Sequence, residues 1–262
     1  MKDKNYNGTV YCEYGKATNP ALIMIHGLGL NKNIWQWQIP VLQNKYYVIS
    51  YDLYGHGQST LPTNSPSLSM FSQQLSSLME FLNVGRATLI GFSLGGMIAR
   101  RFVQDKPERT ERLVILHSPH QRTPQAHAAI SDRVEQAQKY GPAATVEAAL
   151  ERWFTSDFRA SNPEILDLVR TWVLANKTEI YHKLYRVLVE GIDEIVAPNP
   201  AISCPTLVVT GDQDFGNSPE MSRAIGAEIT GSMVYILNGL RHMALAENPK
   251  VVNDLIIDFL EA

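Results

Sequence analysis

Six short apolar runs constrain this chain most: ALIMIHG (21–27), YYVISYD (46–52), ATLIGFS (87–93), RLVILHS (112–118), TLVVTGD (206–212) and MVYILNG (233–239). Each is nearly continuous in hydrophobicity rather than alternating, which is the pattern of a strand covered on both faces in a parallel sheet. Segments of helical period stand between most of them. In 68–83, for example, Leu68, Phe71, Leu75, Leu78, Met79 and Leu82 draw one apolar stripe. The alternation predicts an α/β chain with a doubly wound, mostly parallel sheet and helices on both faces. Near the N-terminus, GTVYCEYG alternates with period two and predicts an antiparallel edge strand. The segment 249–260 predicts a closing helix with Val252, Leu255, Ile256 and Phe259 turned inward.

The rhythm stops between residue 120 and about residue 200. Helical patterns follow one another there without a strand: Val146, Ala149, Leu150 and Trp153, then Ile165, Leu168, Val169, Trp172 and Val173, then Tyr181, Leu184, Leu188 and Ile192. The prolines of APNPAISCP mark the return to the sheet. The expected division is therefore a core of residues 1–119 and 201–262 interrupted by a helical insertion, 120–200. A chain of 262 residues that is 45% apolar has the material for one such domain.

Several function classes drop out on charge and composition. A net charge of −3 with scattered basic residues provides no footprint for nucleic acid. Cys12 and Cys204 are distant in sequence and lack partner spacing, so two reduced thiols are expected rather than a disulfide or a metal site. No apolar run at the start suits a signal peptide, and no window of about 18 apolar residues suits a membrane span. A cytoplasmic protein, monomer or homodimer, is the expectation.

The stretch TLIGFSLGGMIARRF puts Ser93 between Gly91 and Gly95, after a strand and before a helix. Gly-x-Ser-x-Gly in that context is a tight, strained turn that exposes the serine while small neighbours let strand and helix approach closely. Taken alone, the glycines could merely join two elements and Ser93 could be an N-cap. A serine nucleophile further needs a base, and the base needs an acid to orient it, in the chain order Ser, Asp or Glu, His. Of seven histidines, His242 lies in the loop after the last apolar run, where it reaches the carboxyl edge of the sheet. His26 and His56 precede the serine, His127 and His182 lie in the helical block, and His117 and His120 follow the neighbouring strand. His120 is the strongest rival. GDQD offers Asp212 and Asp214 at the end of the strand after the insertion. Asp214 is favoured because it has passed the Gly211 turn, whereas Asp212 is placed to hold that turn. Oxyanion donors are expected from the amide of Leu94, which follows the serine, and from Leu28 in the glycine-rich loop HGLG. No cofactor is needed for such chemistry. Trp153, Phe154, Trp172, Tyr181 and Tyr185 stand at helical spacing and read first as core.

HGLG, YDLYGHGQS, GFSLGG, GDQD and RHMALAENP, in that order, resemble the sequence blocks of the α/β-hydrolase superfamily across nearly the whole chain. The resemblance implies Ser93 as nucleophile, Asp214 as acid, His242 as base, Leu28 and Leu94 as oxyanion donors, and 120–200 as a cap over the site. The segment from LERWF to LYRVL is similar to the cap of 3-oxoadipate enol-lactonases, which implies a small ester or lactone substrate, with Arg152, Arg159 or Arg186 to receive a substrate carboxylate. Carbon–carbon hydrolases, thioesterases and perhydrolases use the same residues, and a non-catalytic small-molecule receptor can be built on the same scaffold.

Overall fold

The computed structural model describes residues 2–262. The eight strands are β1 (Lys4–Tyr6), β2 (Thr9–Tyr14), β3 (Ala21–Ile25), β4 (Tyr47–Tyr51), β5 (Ala87–Phe92), β6 (Thr110–Leu116), β7 (Thr206–Gly211) and β8 (Met233–Leu237). They form one sheet in the order β1-β2-β4-β3-β5-β6-β7-β8. From β4 to β8 every pairing is parallel, while β1 and β2 add an antiparallel hairpin beside β4. The helices are α1 (Ile39–Leu42), α2 (Leu68–Phe81), α3 (Leu94–Asp105), α4 (Pro124–Tyr140), α5 (Val146–Trp153), α6 (Ser156–Ser161), α7 (Pro163–Leu174), α8 (Thr178–Glu190), α9 (Pro219–Glu228), α10 (Ala244–Glu247) and α11 (Pro249–Glu261).

Burial explains the composition of the strands. Leu22, Ile23, Met24 and Ile25 of β3, and Leu89 and Ile90 of β5, have no exposed surface, because helices cover both faces of the sheet centre. Two expectations need correction at its margins. The period-two segment GTVYCEYG forms β2, which is an interior strand, and the edge belongs to the three-residue β1. β8 is the opposite edge and is only half covered: Met233 and Tyr235 are exposed and Leu237 is buried. An edge strand loses one neighbour, so apolar side chains there do not imply two covered faces.

The chain runs from β3 outward to β4, then crosses back over β3 to β5, which makes the gap between the carboxyl ends of β3 and β5 a topological switch point. Loops diverge at such a point and leave a crevice above the sheet. The five helices α4 to α8 all follow β6 and precede β7, which brings them to the same carboxyl edge.

Candidate active site

Ser93 terminates β5 with φ 55° and ψ −114°, a left-handed conformation that a non-glycine residue rarely adopts. Its amide extends the sheet by donating to Leu116 O at 2.8 Å, and its carbonyl accepts from the Gly96 amide and from Ser118 Oγ. α3 begins at once with Leu94. The turn is this tight because two Cβ atoms are missing: one on Gly91 would lie 2.3 Å from Gly95 O, and one on Gly95 would lie 2.0 Å from Ile25 O. The sequence-predicted nucleophile is thus fixed at the mouth of the switch-point crevice.

Asp214 follows β7 across the turn closed by its amide to Gly211 O. Its Oδ1 accepts the amides of Gly216 and Asn217 at 3.1 and 3.0 Å, and its Oδ2 accepts from His242 Nδ1 at 2.7 Å. Asp212 instead accepts the Gly239 amide and ties the loop after β8. Burial raises the Asp214 pKa, yet neighbouring His242 and the hydrogen bonds from His117 and His242 outweigh it and hold the carboxyl far below the usual carboxylate range. The His242 ring lies 4.9 Å from that of Phe92 and 6.0 Å from that of Trp153. Ser93 and His242 line one cavity, and no hydrogen bond joins them.

The second histidine on Asp214 is His117, and His120, the rival that the sequence suggests, lies elsewhere. His120 Nε2 lies 3.0 Å from Glu228 Oε1, whereas His117, held at φ 50° just past β6, puts Nδ1 3.0 Å from Asp214 Oδ2. The hydrogen-bond network assigns its tautomer. Thr210 Oγ1 lies 3.3 Å from the same Nδ1 but donates its proton to Asn217 O, so the ring nitrogen carries the hydrogen and donates. Burial pushes the His117 pKa down against the pull of Asp214, and its Nε2 is buried without a partner. Among the described residues, His117, Asp214 and His242 form the one group whose donor atoms are close enough, within 4.8 Å, to hold a metal ion. The two nitrogen–oxygen separations are those of direct hydrogen bonds, which already satisfy this carboxylate.

Leu28 sits in the loop after β3, and neither its amide nor that of Leu94 donates a hydrogen bond among the described residues. Two buried groups hold that loop. His26 Nδ1 donates to Gly27 O at 2.8 Å and Nε2 accepts the Leu53 amide at 3.0 Å, which fixes one neutral tautomer. Asp52 accepts from the Lys32 amide, Lys32 Nζ and the Gln58 amide, joining the loops after β3 and β4. Burial lowers His26 to about 4, and burial with neighbouring His26 lowers His56, whose ring stands 5.1 Å away, to about 3. Below the model-peptide value near 6.5, protons bind the unfolded chain and not these two rings, so folded stability falls as pH drops from about 6.5 toward 4. Each histidine contributes roughly 1.4 kcal/mol per pH unit in that window. Urea unfolding at pH 7.5, 6 and 5 is expected to show this slope, reduced by about one histidine's share in His56→Phe; an unchanged slope in the variant would disprove the assignment.

The cavity holds about 170 Å³ and is lined from the sheet side by Gly27, Leu28, Phe92, Ser93 and His242. From the helical side it is lined by Trp153, Tyr181, Tyr185 and three arginines, Arg122, Arg133 and Arg152. Three of the aromatics read as core are therefore cavity wall, while Phe154 and Trp172 are buried away from it. Of the arginines that the sequence nominated, Arg152 is in the lining, Arg186 lies near Glu190, and Arg159 is elsewhere. Arg122 and Arg133 were not anticipated; nothing in a single sequence marks which helical arginines turn inward.

A serine on a strained strand-to-helix turn, an Asp–His pair across the neighbouring strand ends and free amides at a switch point together make a candidate hydrolase site on a doubly wound sheet. The chain belongs to the alpha/beta hydrolase fold family, whose profile matches residues 20–249, and it is a hydrolase. It is 28% identical over 246 residues to 3-oxoadipate enol-lactonase 2 of Acinetobacter baylyi, covering 94% of this chain and 90% of that one. To (E)-2-((N-methylformamido)methylene)succinate hydrolase of the same organism it is 30% identical over 253 residues, covering 96% and 93%. Its fold is also that of the enol-lactonase from Burkholderia xenovorans LB400, with a TM-score of 0.91 at 24% identity over 100% of both chains. Among the described residues no helix is long and apolar enough to cross a membrane.

Proposed function

We propose that the protein hydrolyses a small carboxylic ester or lactone through an acyl-enzyme. Ser93 is the nucleophile, His242 the base and Asp214 the acid that orients it, with the Leu28 and Leu94 amides as oxyanion donors. The observation that carries this reading is the 2.7 Å bond from His242 Nδ1 to a buried carboxylate, which leaves Nε2 as the proton acceptor on the wall shared with Ser93. In the first step His242 Nε2 takes the Ser93 proton and the oxygen adds to the carbonyl carbon. The resulting oxyanion is met by the two amides. Collapse breaks the bond to the leaving oxygen, which receives the proton from His242; in a lactone that oxygen stays tethered. Water, deprotonated by His242, then releases the acid and regenerates Ser93.

The helices between residues 120 and 200 act in this reading as a cap over a core of 1–119 and 201–262, supported by a cavity to which both contribute residues. Its volume favours a small substrate, since a cavity of about 150 Å³ takes a molecule the size of benzene. Similarity to the 3-oxoadipate enol-lactonase and to the succinate-derivative hydrolase agrees with small-molecule hydrolysis. Free Cys12 and Cys204 suit a reducing, cytoplasmic setting. The test is a panel of aryl esters, lactones, thioesters and 1,3-diketones with purified protein. A p-nitrophenol burst stoichiometric with enzyme on p-nitrophenyl acetate is the expected result. Tight binding across the panel without turnover would show a receptor, and cleavage of diketones alone a carbon–carbon hydrolase.

A further inference from the structure

We propose that the cap side of the cavity is a binding site for a dianion, so that the preferred substrate carries two carboxylates apart from its scissile carbonyl, held by Arg122, Arg133 and Arg152. This rests on the ester or lactone reading for the identity of the reacting bond, but the anion site stands on its own contacts. Arg122 precedes α4, Arg133 lies within it and Arg152 lies on α5, and all three line the cavity that holds Ser93 and His242.

None of the three has an acidic partner among the described residues. Several other arginines are paired with carboxylates, Arg101 with Asp105 and Glu194, Arg109 with Glu80, Arg170 with Glu147 and Asp167, Arg223 with Glu220, and those left unpaired, such as buried Arg100, are outside this cavity. The single carboxylate in the cavity lining is Asp214, whose two oxygens already accept from His242, His117 and two amides. Donors on the three guanidiniums are largely unspent. Arg122 Nη1 donates to Leu188 O at 2.8 Å, Arg133 Nε donates to Tyr185 Oη at 3.1 Å, and Arg152 makes no hydrogen bond to the protein. A guanidinium carries five N–H groups in a planar fork that fits a carboxylate with two parallel bonds.

Charge counting selects the ligand class. A half-buried guanidinium without a counter-charge is unfavourable, and here three stand near one another. Burial and then neighbouring Arg133 push Arg122 down to about 10, and the same two causes lower Arg152, so Arg133 is the member that repels both others. A neutral ester matches none of them, and a monoanion leaves two opposed. Arg122 stands just before α4 and Arg133 nine residues past its first residue, on the order of 14 Å along the helix axis at about 1.5 Å per residue, which suits two separated carboxylates better than one compact phosphate.

The test compares p-nitrophenyl esters whose acyl group is neutral (acetate), singly anionic (the succinate half-ester) or doubly anionic (a monoester of propane-1,2,3-tricarboxylate), with inhibition by glutarate, butyrate and inorganic phosphate measured alongside. Wild-type kcat/KM is expected to rise with each acyl charge by about 10-fold or more, the effect of one charge-assisted pair. Glutarate is expected to compete more tightly than butyrate or phosphate, with its affinity falling as salt is added. Arg133→Gln and Arg152→Gln should each remove about 10-fold of the dianion preference, mainly through KM, and exposed Arg223→Gln should leave it intact. Turnover of acetate ester without any gain from acyl charge would overturn the dianion site and spare the ester reading. Glutarate binding without turnover of any ester would do the reverse. Phosphate competing as tightly as glutarate would overturn the assignment to a dicarboxylate.

Discussion

Ser93→Ala is expected to lower kcat on a small aryl ester by about 10⁴- to 10⁶-fold, because the remaining site keeps its oxyanion donors and base but has nothing to acylate. The p-nitrophenol burst should vanish with it. What separates this loss from damage to the fold is the backbone at position 93. Alanine retains the Cβ that opposes φ 55°, so its stability should stay near that of the parent. Ser93→Gly is equally devoid of a hydroxyl, but it releases a strain of roughly 1–3 kcal/mol. The larger freedom of glycine in the unfolded chain offsets about 0.5–1 kcal/mol of that gain. The glycine variant should therefore be as inactive as the alanine variant and melt a few degrees higher than the parent. Substantial hydrolysis by either variant would remove Ser93 from the mechanism, and a lower melting temperature for the glycine variant would remove strain as the reason for its conformation. The comparison also measures how much stability the chain gives up to hold a hydroxyl on this turn.

The parts of this arrangement that could be read in the sequence are those set by local chemistry. A strand covered on both faces must be apolar at successive positions, so β3, β5, β6 and β7 announce themselves. β1 did not, since Lys4–Tyr6 is short and exposed and owes its place to pairing with β2. Ser93 is legible because Gly-x-Ser-x-Gly is a local pattern: a Cβ on Gly91 would meet Gly95 O four residues on, although the contact that demands Gly95 is with Ile25 at the end of β3. Asp214 could be preferred over Asp212 because turn geometry at Gly211 separates their directions. The pairing of His117 with Asp214 and the choice of Arg122, Arg133 and Arg152 among the helical-block arginines were beyond reach for a different reason, although Arg152 was one of three nominated. His117 is 97 residues from Asp214, and its meeting with that carboxylate depends on β6 lying beside β7 with a particular register. His120, three residues on, looked as suitable in sequence and ends beside Glu228. Likewise the inward turn of Arg133 depends on how α4 packs on α8, and that of Arg152 on how α5 packs on α7, tertiary facts that no periodicity within either helix encodes. Function in this protein is thus carried by side chains whose types the sequence displays and whose convergence only packing decides.

Gly95→Ala should destabilise the protein by more than about 4 kcal/mol, and the variant is expected to be recovered mostly unfolded or insoluble, since that exceeds a large share of a typical domain's 5–15 kcal/mol. The added Cβ would stand 2.0 Å from Ile25 O, 2.6 Å from Ile25 C and 2.8 Å from His26 O. All three atoms are backbone, so no rotamer change relieves the clash, and helix α3 must lift from the end of β3. β3 has no room to yield in turn: Met24 and Ile25 are fully buried and pair with β4 on one side and β5 on the other. Gly85→Ala is the matching control, because nothing lies within 4 Å of its added Cβ. There the expected change is neutral, or a gain of about 0.4–1 kcal/mol from a stiffer unfolded chain. Denaturant unfolding of both variants checks the contrast, and a Gly95→Ala protein within about 1 kcal/mol of the parent would disprove the close approach of α3 to β3. Any fraction of Gly95→Ala that does fold should also lose kcat, because lifting α3 carries the Leu94 amide away from Leu28. The same contact that lets the helix touch the strand therefore sets the distance between the two proposed oxyanion donors, which ties the stability of this turn to its proposed chemistry.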